Sequence, residues 1–243
     1  MKDVITVIPS IKGFLSSTLI DWEGRIACEI FIAGCNFRCP FCQNPQLVLN
    51  DPGLPSYDLE KIIRYITSKK KWIDGVVISG GEPFYAEGIM HMLEIFAENE
   101  VNVKVDTNGS FQNPMMYAIK HGLIQYVSMD IKCDLLNYRK YLKADVSGDV
   151  IMESISVLMK SGLDYEFRTT VVPQIVSRDD IHKISKLIKG ARSYVLQQFN
   201  PKNTLSREFS MLKPYSEQQL EELVSVASKH VNTSLRGINN ETK

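Results

Sequence analysis

Apolar runs of strand length alternate along this chain with segments whose apolar positions recur at helical spacing, the signature of repeated βα units and a parallel sheet. The first run, 26–33, leads into a cysteine-rich loop. A helix is predicted over 59–69, where Leu59, Ile62, Ile63 and Ile66 share a face and Asp58 stands at the N-cap position. Strand 75–79 follows and ends in Gly80-Gly81-Glu82-Pro83. The pattern then predicts helix 87–97, strand 102–106, helix 115–120, strand 125–132, helix 150–159, strand 165–172, helix 180–188, strand 194–199 and helix 217–229. Six βα units of this kind make either an open doubly wound sheet or a barrel that does not fully close, and periodicity does not separate the two. The length of 243 residues suits one α/β domain, 1–243, with a chemistry-bearing loop at 34–45 and a C-terminal helix and tail at 216–243.

Composition narrows the function. Hydrophobic residues make up 44% and charged residues 23%, values that argue for a packed core rather than disorder. Lys plus Arg equals Asp plus Glu, so the net charge of zero offers no electrostatic footprint for nucleic acid or an anionic membrane. The amino-terminal MKDVITVIPSIKGF lacks the apolar run of a signal peptide, and no stretch reaches the ~18 apolar residues of a membrane span. A cytoplasmic protein is expected. Three of its five cysteines fall within eight residues, which in a reducing compartment points to metal binding or redox work rather than a disulfide framework.

The unusual residues gather where strands end. Cys35, Cys39, Cys42, Gly80, Glu82, Asp106 and Lys132 all follow or end a predicted strand, which is where α/β folds hold ligands. Asp130 and Lys132 lie two apart on an otherwise apolar strand and so share a face. Burying two charges there costs several kcal/mol each unless they pair or hold a ligand, so a polar cavity is expected.

Cys39-Pro40-Phe41-Cys42 alone admits a dithiol reading, in which a Cys-x-x-Cys at a helix start exchanges with disulfides. That reading leaves Cys35 without a role. Structural zinc needs a fourth ligand from a second close pair, and the ferredoxin run needs four cysteines; both are missing. A four-iron cubane held by Cys35, Cys39 and Cys42 keeps one iron open as a binding position.

The C-x3-C-x2-C run with Phe41 before its last cysteine, and GGEP at 80–83 after the next strand, resemble the two motifs of the radical S-adenosylmethionine (radical SAM) superfamily. The resemblance extends through GRIACEIFIAGCNFRCPFCQNP at 24–45, DTNG at 106–109, MDIK at 129–132, EFRTTVVP at 166–173, YVLQQF at 194–199 and KPYS at 213–216. Together these are similar to glycyl-radical-enzyme activases, and most to the longer subgroup of activating proteins for anaerobic ribonucleoside-triphosphate reductase. The resemblance implies a radical SAM fold, an incomplete (β/α)6 barrel of parallel strands or partial TIM barrel. It also implies one 4Fe-4S cluster, since no cysteine follows Cys42 until Cys133.

The same resemblance implies roles for residues. Cys35, Cys39 and Cys42 are the metal ligands. Gly80 and Gly81 let backbone approach the ammonium of S-adenosylmethionine, Glu82 matches its charge, and Phe41 faces the adenine. Asp106, Asp130 and Lys132 are placed for the cofactor's carboxylate or ribose, or for a monovalent cation beside it; Arg168 is placed for a carboxylate or the substrate backbone. The plainer reading of Asp106, Asp130 and Lys132 is a buried ion-pair network that stabilises strand ends, and Arg168 has a structural reading of its own. Cys28 and Cys133 read as small buried apolar residues, and Lys69-Lys70-Lys71 as a solvated helix end. The implied partners are a glycyl radical enzyme and, as electron donor, a ferredoxin or flavodoxin. Two other functions compete: a radical SAM enzyme acting on a small molecule or peptide, and a non-catalytic iron-sulfur carrier, which has no use for an open iron or for GGEP.

Overall fold

The computed structural model describes residues 7–238. The first six residues of the amino-terminal stretch and the last five of the 216–243 tail lie outside the described residues. The elements in chain order are β1 (Ile11–Thr18), β2 (Ala27–Ile32), α1 (Pro45–Val48), α2 (Leu59–Ser68), β3 (Gly75–Gly80), α3 (Ile89–Glu98), β4 (Asn102–Thr107) and α4 (Gln112–Lys120). They continue with β5 (Tyr126–Asp130), α5 (Tyr138–Leu142), α6 (Gly148–Lys160), β6 (Asp164–Val171), α7 (Arg178–Leu187), β7 (Tyr194–Gln198), α8 (Glu217–Ala227) and β8 (Thr233–Arg236). The strands follow one another in chain order in an eight-stranded sheet.

The six predicted strands are β2 to β7, and the predicted parallel pairing holds for β2 with β3, β3 with β4 and β6 with β7. Two strands add to the six. β1 pairs antiparallel with β2, and β8 pairs parallel with β7. The run at 26–33 is therefore the second strand, not the first. Neither added strand carries a continuous apolar run: β1 is largely half-buried or exposed, and β8 has only four residues. Helices α2, α6, α7 and α8 start where a side chain holds a free N–H group. Asp58 accepts from the Lys61 N–H at 3.0 Å, and Ser177 and Ser216 open α7 and α8 with reciprocal capping boxes.

The chain divides into two compact units. The first comprises Met1–Asn36, Gln46–Thr107 and Phe111–Val127; the second comprises Phe37–Pro45, Asn108–Ser110 and Ser128–Lys243. In the first, Trp22, Ala27 and Val77 pack together with Tyr126 against them. In the second, the largest buried side chains include Tyr138, Phe167, Tyr194 and Phe199. The Tyr194 hydroxyl donates to Thr169, whose own hydroxyl donates to the Ile131 carbonyl, so this aromatic core carries its polar atoms in satisfied bonds.

Candidate active site

In the first unit, the end of β3 is stitched to the start of the cysteine loop. The Gly81 N–H donates to the Ile32 carbonyl at 2.8 Å and the Glu82 N–H to the Gly34 carbonyl at 2.9 Å, so GGEP is bonded to the residue immediately before Cys35. The glycines permit that approach. A Cβ on Gly81 would stand 1.8 Å from the Gly34 carbonyl oxygen, and one on Gly80 would stand 2.5 Å from that of Ile32, with Gly80 at φ +112°. Both glycines are thus required by main-chain packing, in addition to any ligand. Glu82 is 0% exposed, and its carboxylate accepts from the Phe84 N–H at 3.1 Å and the Thr107 hydroxyl at 2.8 Å.

Asp106 pairs with Lys104 at 3.3 Å. Lys104 is 3% exposed, also donates to the Asp21 carbonyl, and lies over the Tyr126 ring. Register places Val77 beside both Glu29 and Lys104. Glu29 is buried, accepts from Ser79 at 2.7 Å, and has its pKa raised to about 7. Burial raises it most; Ser79 opposes, the carboxylates of Asp21 and Asp106 add to the rise, and Lys104 counters it. Sequence reading passed over Lys104, Glu29 and Ser79. The signal for Lys104 was present: Lys104 and Asp106 stand two apart on an apolar strand, as Asp130 and Lys132 do.

In the second unit, Pro40 and Phe41 form a turn closed by the Cys42 N–H on the Cys39 carbonyl at 3.0 Å. Two distant segments hold this turn. The Arg38 N–H donates to the Leu142 carbonyl at 2.9 Å, while the N–H groups of Leu205 and Ser206 donate to the carbonyls of Cys42 and Pro40, each at 2.9 Å. Phe41 is buried. Burial raises the Cys42 pKa, while the Asn44 N–H and the charges of Lys132 and Arg38 favour its thiolate.

Asp130, Lys132 and Arg168 form one network. Lys132 Nζ lies 2.7 Å from Asp130 Oδ2; Arg168 Nε lies 2.6 Å from Oδ1 and Nη2 3.2 Å from Oδ2. Burial opposes the Asp130 charge, but Arg168 and Lys132 outweigh it and hold the carboxyl well below the usual range. Burial likewise opposes the Lys132 charge, yet Asp130 carries its pKa up to about 12. Of the three residues whose plainer reading is an ion-pair network, Asp130 and Lys132 pair with each other and Arg168 joins them, while Asp106 pairs with Lys104.

All five cysteines are free thiols. Cys28 and Cys133 are fully buried; Cys28 donates to the Ser16 carbonyl and burial raises its pKa to about 11, which suits inert core thiols. Among the described residues, no three His, Cys, Asp or Glu side chains converge as ligands of a single metal ion do. A four-iron cubane asks for a different arrangement, since each thiolate takes its own corner iron. The donor set fits that group: three unbridged thiols at C-x3-C-x2-C, with GGEP bonded to the residue before the first.

Residues 30–188 match the Radical SAM superfamily. The chain belongs to the radical SAM superfamily. Over 236 residues it is 32% identical to MJ1227 of Methanocaldococcus jannaschii, a protein that carries the name of a glycyl-radical enzyme activating enzyme, covering 94% of this chain and 96% of that one. It is 27% identical to the pyruvate formate-lyase-activating enzyme of Clostridium pasteurianum over 82% of this chain and 84% of the relative. The radical SAM chain is thus of the glycyl-radical-enzyme activase type. Streptococcus suis SuiB bound to S-adenosylmethionine superposes with a TM-score of 0.65 at 16% identity, covering 85% of this chain and 49% of SuiB. That likeness supports the expected fold class, the incomplete (β/α)6 barrel of the family. The family uses a 4Fe-4S cluster and S-adenosylmethionine. No helix among the described residues is long and apolar enough to cross a membrane.

Proposed function

We propose that this protein activates a glycyl radical enzyme, and that the enzyme is an anaerobic (class III) ribonucleoside-triphosphate reductase. The observation that carries the radical SAM part of this reading is the pair of main-chain bonds joining GGEP to Ile32 and Gly34 at the mouth of the cysteine loop. The relatives named for glycyl-radical enzyme activation support the activase part, and the sequence resemblance described above supports the reductase. When bound, the cluster and S-adenosylmethionine supply a 5′-deoxyadenosyl radical able to take one hydrogen atom from the α-carbon of a glycine.

The chain's own residues bind and orient. Cys35, Cys39 and Cys42 hold the cluster. Gly80 and Gly81 would present main-chain atoms to the methionine end of S-adenosylmethionine, and Glu82, whose carboxylate is fixed by Phe84 and Thr107, would supply charge matching its ammonium. Phe41 would offer a face to the adenine. Asp106, Asp130 and Lys132 would serve the cofactor's carboxylate or ribose, or a monovalent cation beside it, Arg168 would serve a carboxylate or the substrate backbone, and a ferredoxin or flavodoxin would be the electron donor.

The test uses anaerobically reconstituted protein with dithionite and S-adenosylmethionine. 5′-Deoxyadenosine should form, Cys39→Ala should abolish it, and adding an anaerobic ribonucleotide reductase should produce a glycine-centred EPR doublet. No 5′-deoxyadenosine from a fully loaded cluster would sink the radical reading. Silence from several glycyl radical enzymes, with turnover of a small molecule or peptide instead, would sink the activase reading.

A further inference from the structure

Lys104 is a buried ammonium in the first unit, and its ion-pair partner is a carboxylate of the candidate site. Its side chain is 3% exposed; Nζ lies 3.3 Å from Asp106 Oδ1, donates to the Asp21 carbonyl and stands 5.4 Å from the centre of the Tyr126 ring. An ammonium carries three donors, and a carboxylate, a carbonyl and an aromatic face are partners for them. The β2–β3–β4 register brings Glu29, Val77 and Lys104 into one row, and Asp106 stands two residues beyond Lys104 on the same face of β4. Lys104 therefore sits in a cluster with three acidic side chains, Asp21, Glu29 and Asp106, and opposes the rise in the Glu29 pKa that the other two reinforce.

This cluster meets GGEP at two points within the first unit. Ser79, which donates to Glu29 at 2.7 Å, immediately precedes Gly80, and Thr107, which donates to Glu82 at 2.8 Å, immediately follows Asp106. Two services are open to Asp106 in the reading above: it meets the cofactor's carboxylate or ribose, or it holds a monovalent cation. A metal cation on Asp106 Oδ1 would stand beside the Lys104 ammonium, a like charge fixed in a site removed from water, where repulsion is weakly screened. That oxygen does not fit such an ion. An Asp beside a cofactor carboxylate does need a counter-charge, and Lys104 supplies one from within the chain.

Resting on the reading that Asp106 serves S-adenosylmethionine, we propose that Lys104 is a positioning residue for the cofactor, whose ammonium holds and neutralises Asp106 and so takes the place of a monovalent cation. Cofactor binding is then indifferent to which monovalent cation surrounds the protein. Without the Lys104 charge, Asp106 has to recruit potassium or sodium from solution.

The probe is S-adenosylmethionine, titrated calorimetrically into the anaerobically reconstituted full-length protein without reductant, in about 100 mM potassium, sodium or tetramethylammonium chloride. The readout is binding, since no turnover occurs. The wild-type Kd should agree within about twofold across the three salts. Lys104→Met, which keeps the stem and deletes the charge, should bind about tenfold or more weaker in tetramethylammonium and recover most of that loss in potassium or sodium. Lys104→Gln, which also serves if the Met variant fails to fold, should behave in the same way. Carboxyl NMR of either variant should place the Glu29 titration above that of wild type, because Lys104 no longer counters its rise.

Wild-type binding that weakens by about tenfold in tetramethylammonium would overturn the inference, because the counter-charge would then come from solution. Lys104 variants that bind as wild type in every salt would overturn it too, and so would variants that stay weak in all three, since that loss would be structural. Asp106→Asn separates these failures from failure of the reading beneath them. If it binds S-adenosylmethionine as wild type does in all three salts, Asp106 lies outside the cofactor site and the reading falls with the inference. If it binds weakly while wild type needs potassium or sodium, Asp106 keeps its place and only the role of Lys104 is lost.

Discussion

Glu29 on β2 and Asp130 on β5 are both buried carboxylates on strands, yet burial leaves them in opposite states. Glu29 accepts from the Ser79 hydroxyl with two other carboxylates among its neighbours, and its pKa rises to about 7. Asp130 is gripped by Arg168 and Lys132 and is held well below the usual carboxylate range. Desolvation opposes the charge in both places; what differs is whether direct ion pairs outweigh it. A hydroxyl partner alone does not. The first unit therefore carries a carboxyl that titrates near neutral pH, and the second carries one that stays charged through the working range.

Three substitutions put that contrast at risk. Asp130→Ala has the largest expected effect, because it strands two cations that are mostly removed from water; about 3–5 kcal/mol should be lost in urea unfolding at pH 7. Asp130 also gives an acid limb. Its folded pKa is depressed, so its stabilisation is complete above the unfolded value near ~3.9 and is lost as pH falls through the folded one. The variant should lack that limb. A loss below ~1 kcal/mol would show that the network contributes little to stability.

Glu29→Gln comes next and has the opposite pH sign. The raised folded pKa means that the native state binds the extra proton between about pH 4.5 and about 7, so wild-type stability falls as pH rises across that window. On the order of 2 kcal/mol is at stake after discounting for solvent screening, and Glu29→Gln should flatten this part of the profile. An unchanged slope would remove Glu29 as its source. Ser79→Ala is the smallest, about 0.5–1.5 kcal/mol at neutral pH, with Glu29 titrating still higher once its donor is gone. Carboxyl NMR across the titration reads this directly, and a downward shift would contradict the role given to Ser79.

The strands β2 to β7 were legible because their apolar runs are bounded by turn signals and separated by helical periodicity. β1 was not legible. Its sequence, IKGFLSST, mixes apolar and polar residues without a continuous core-facing run, and Gly13 is needed where a Cβ would meet the Phe31 ring at 2.8 Å. The charged positions split the same way. Asp130 with Lys132 was readable as two like-facing charges on one strand, but the third member, Arg168, comes from a strand 38 residues away in the chain. Lys104 offered the same local signal beside Asp106, whereas Glu29 and Ser79 meet only through the β2–β3 register.

The sequence by itself pointed to the radical SAM chemistry and to the alternation of strands β2 to β7 with helices. Three thiols at C-x3-C-x2-C and a GGEP turn are local patterns, and alternating strand and helix periods are too, so each can be read without knowing what packs on what. Tertiary structure decided which charge meets which, why Gly81 tolerates no Cβ against Gly34, and that residues 205 and 206 close over the turn of Cys39 and Cys42. Those outcomes depend on hydrogen-bond register and contact between segments distant in the chain. Short-range periodicity carries no information about them.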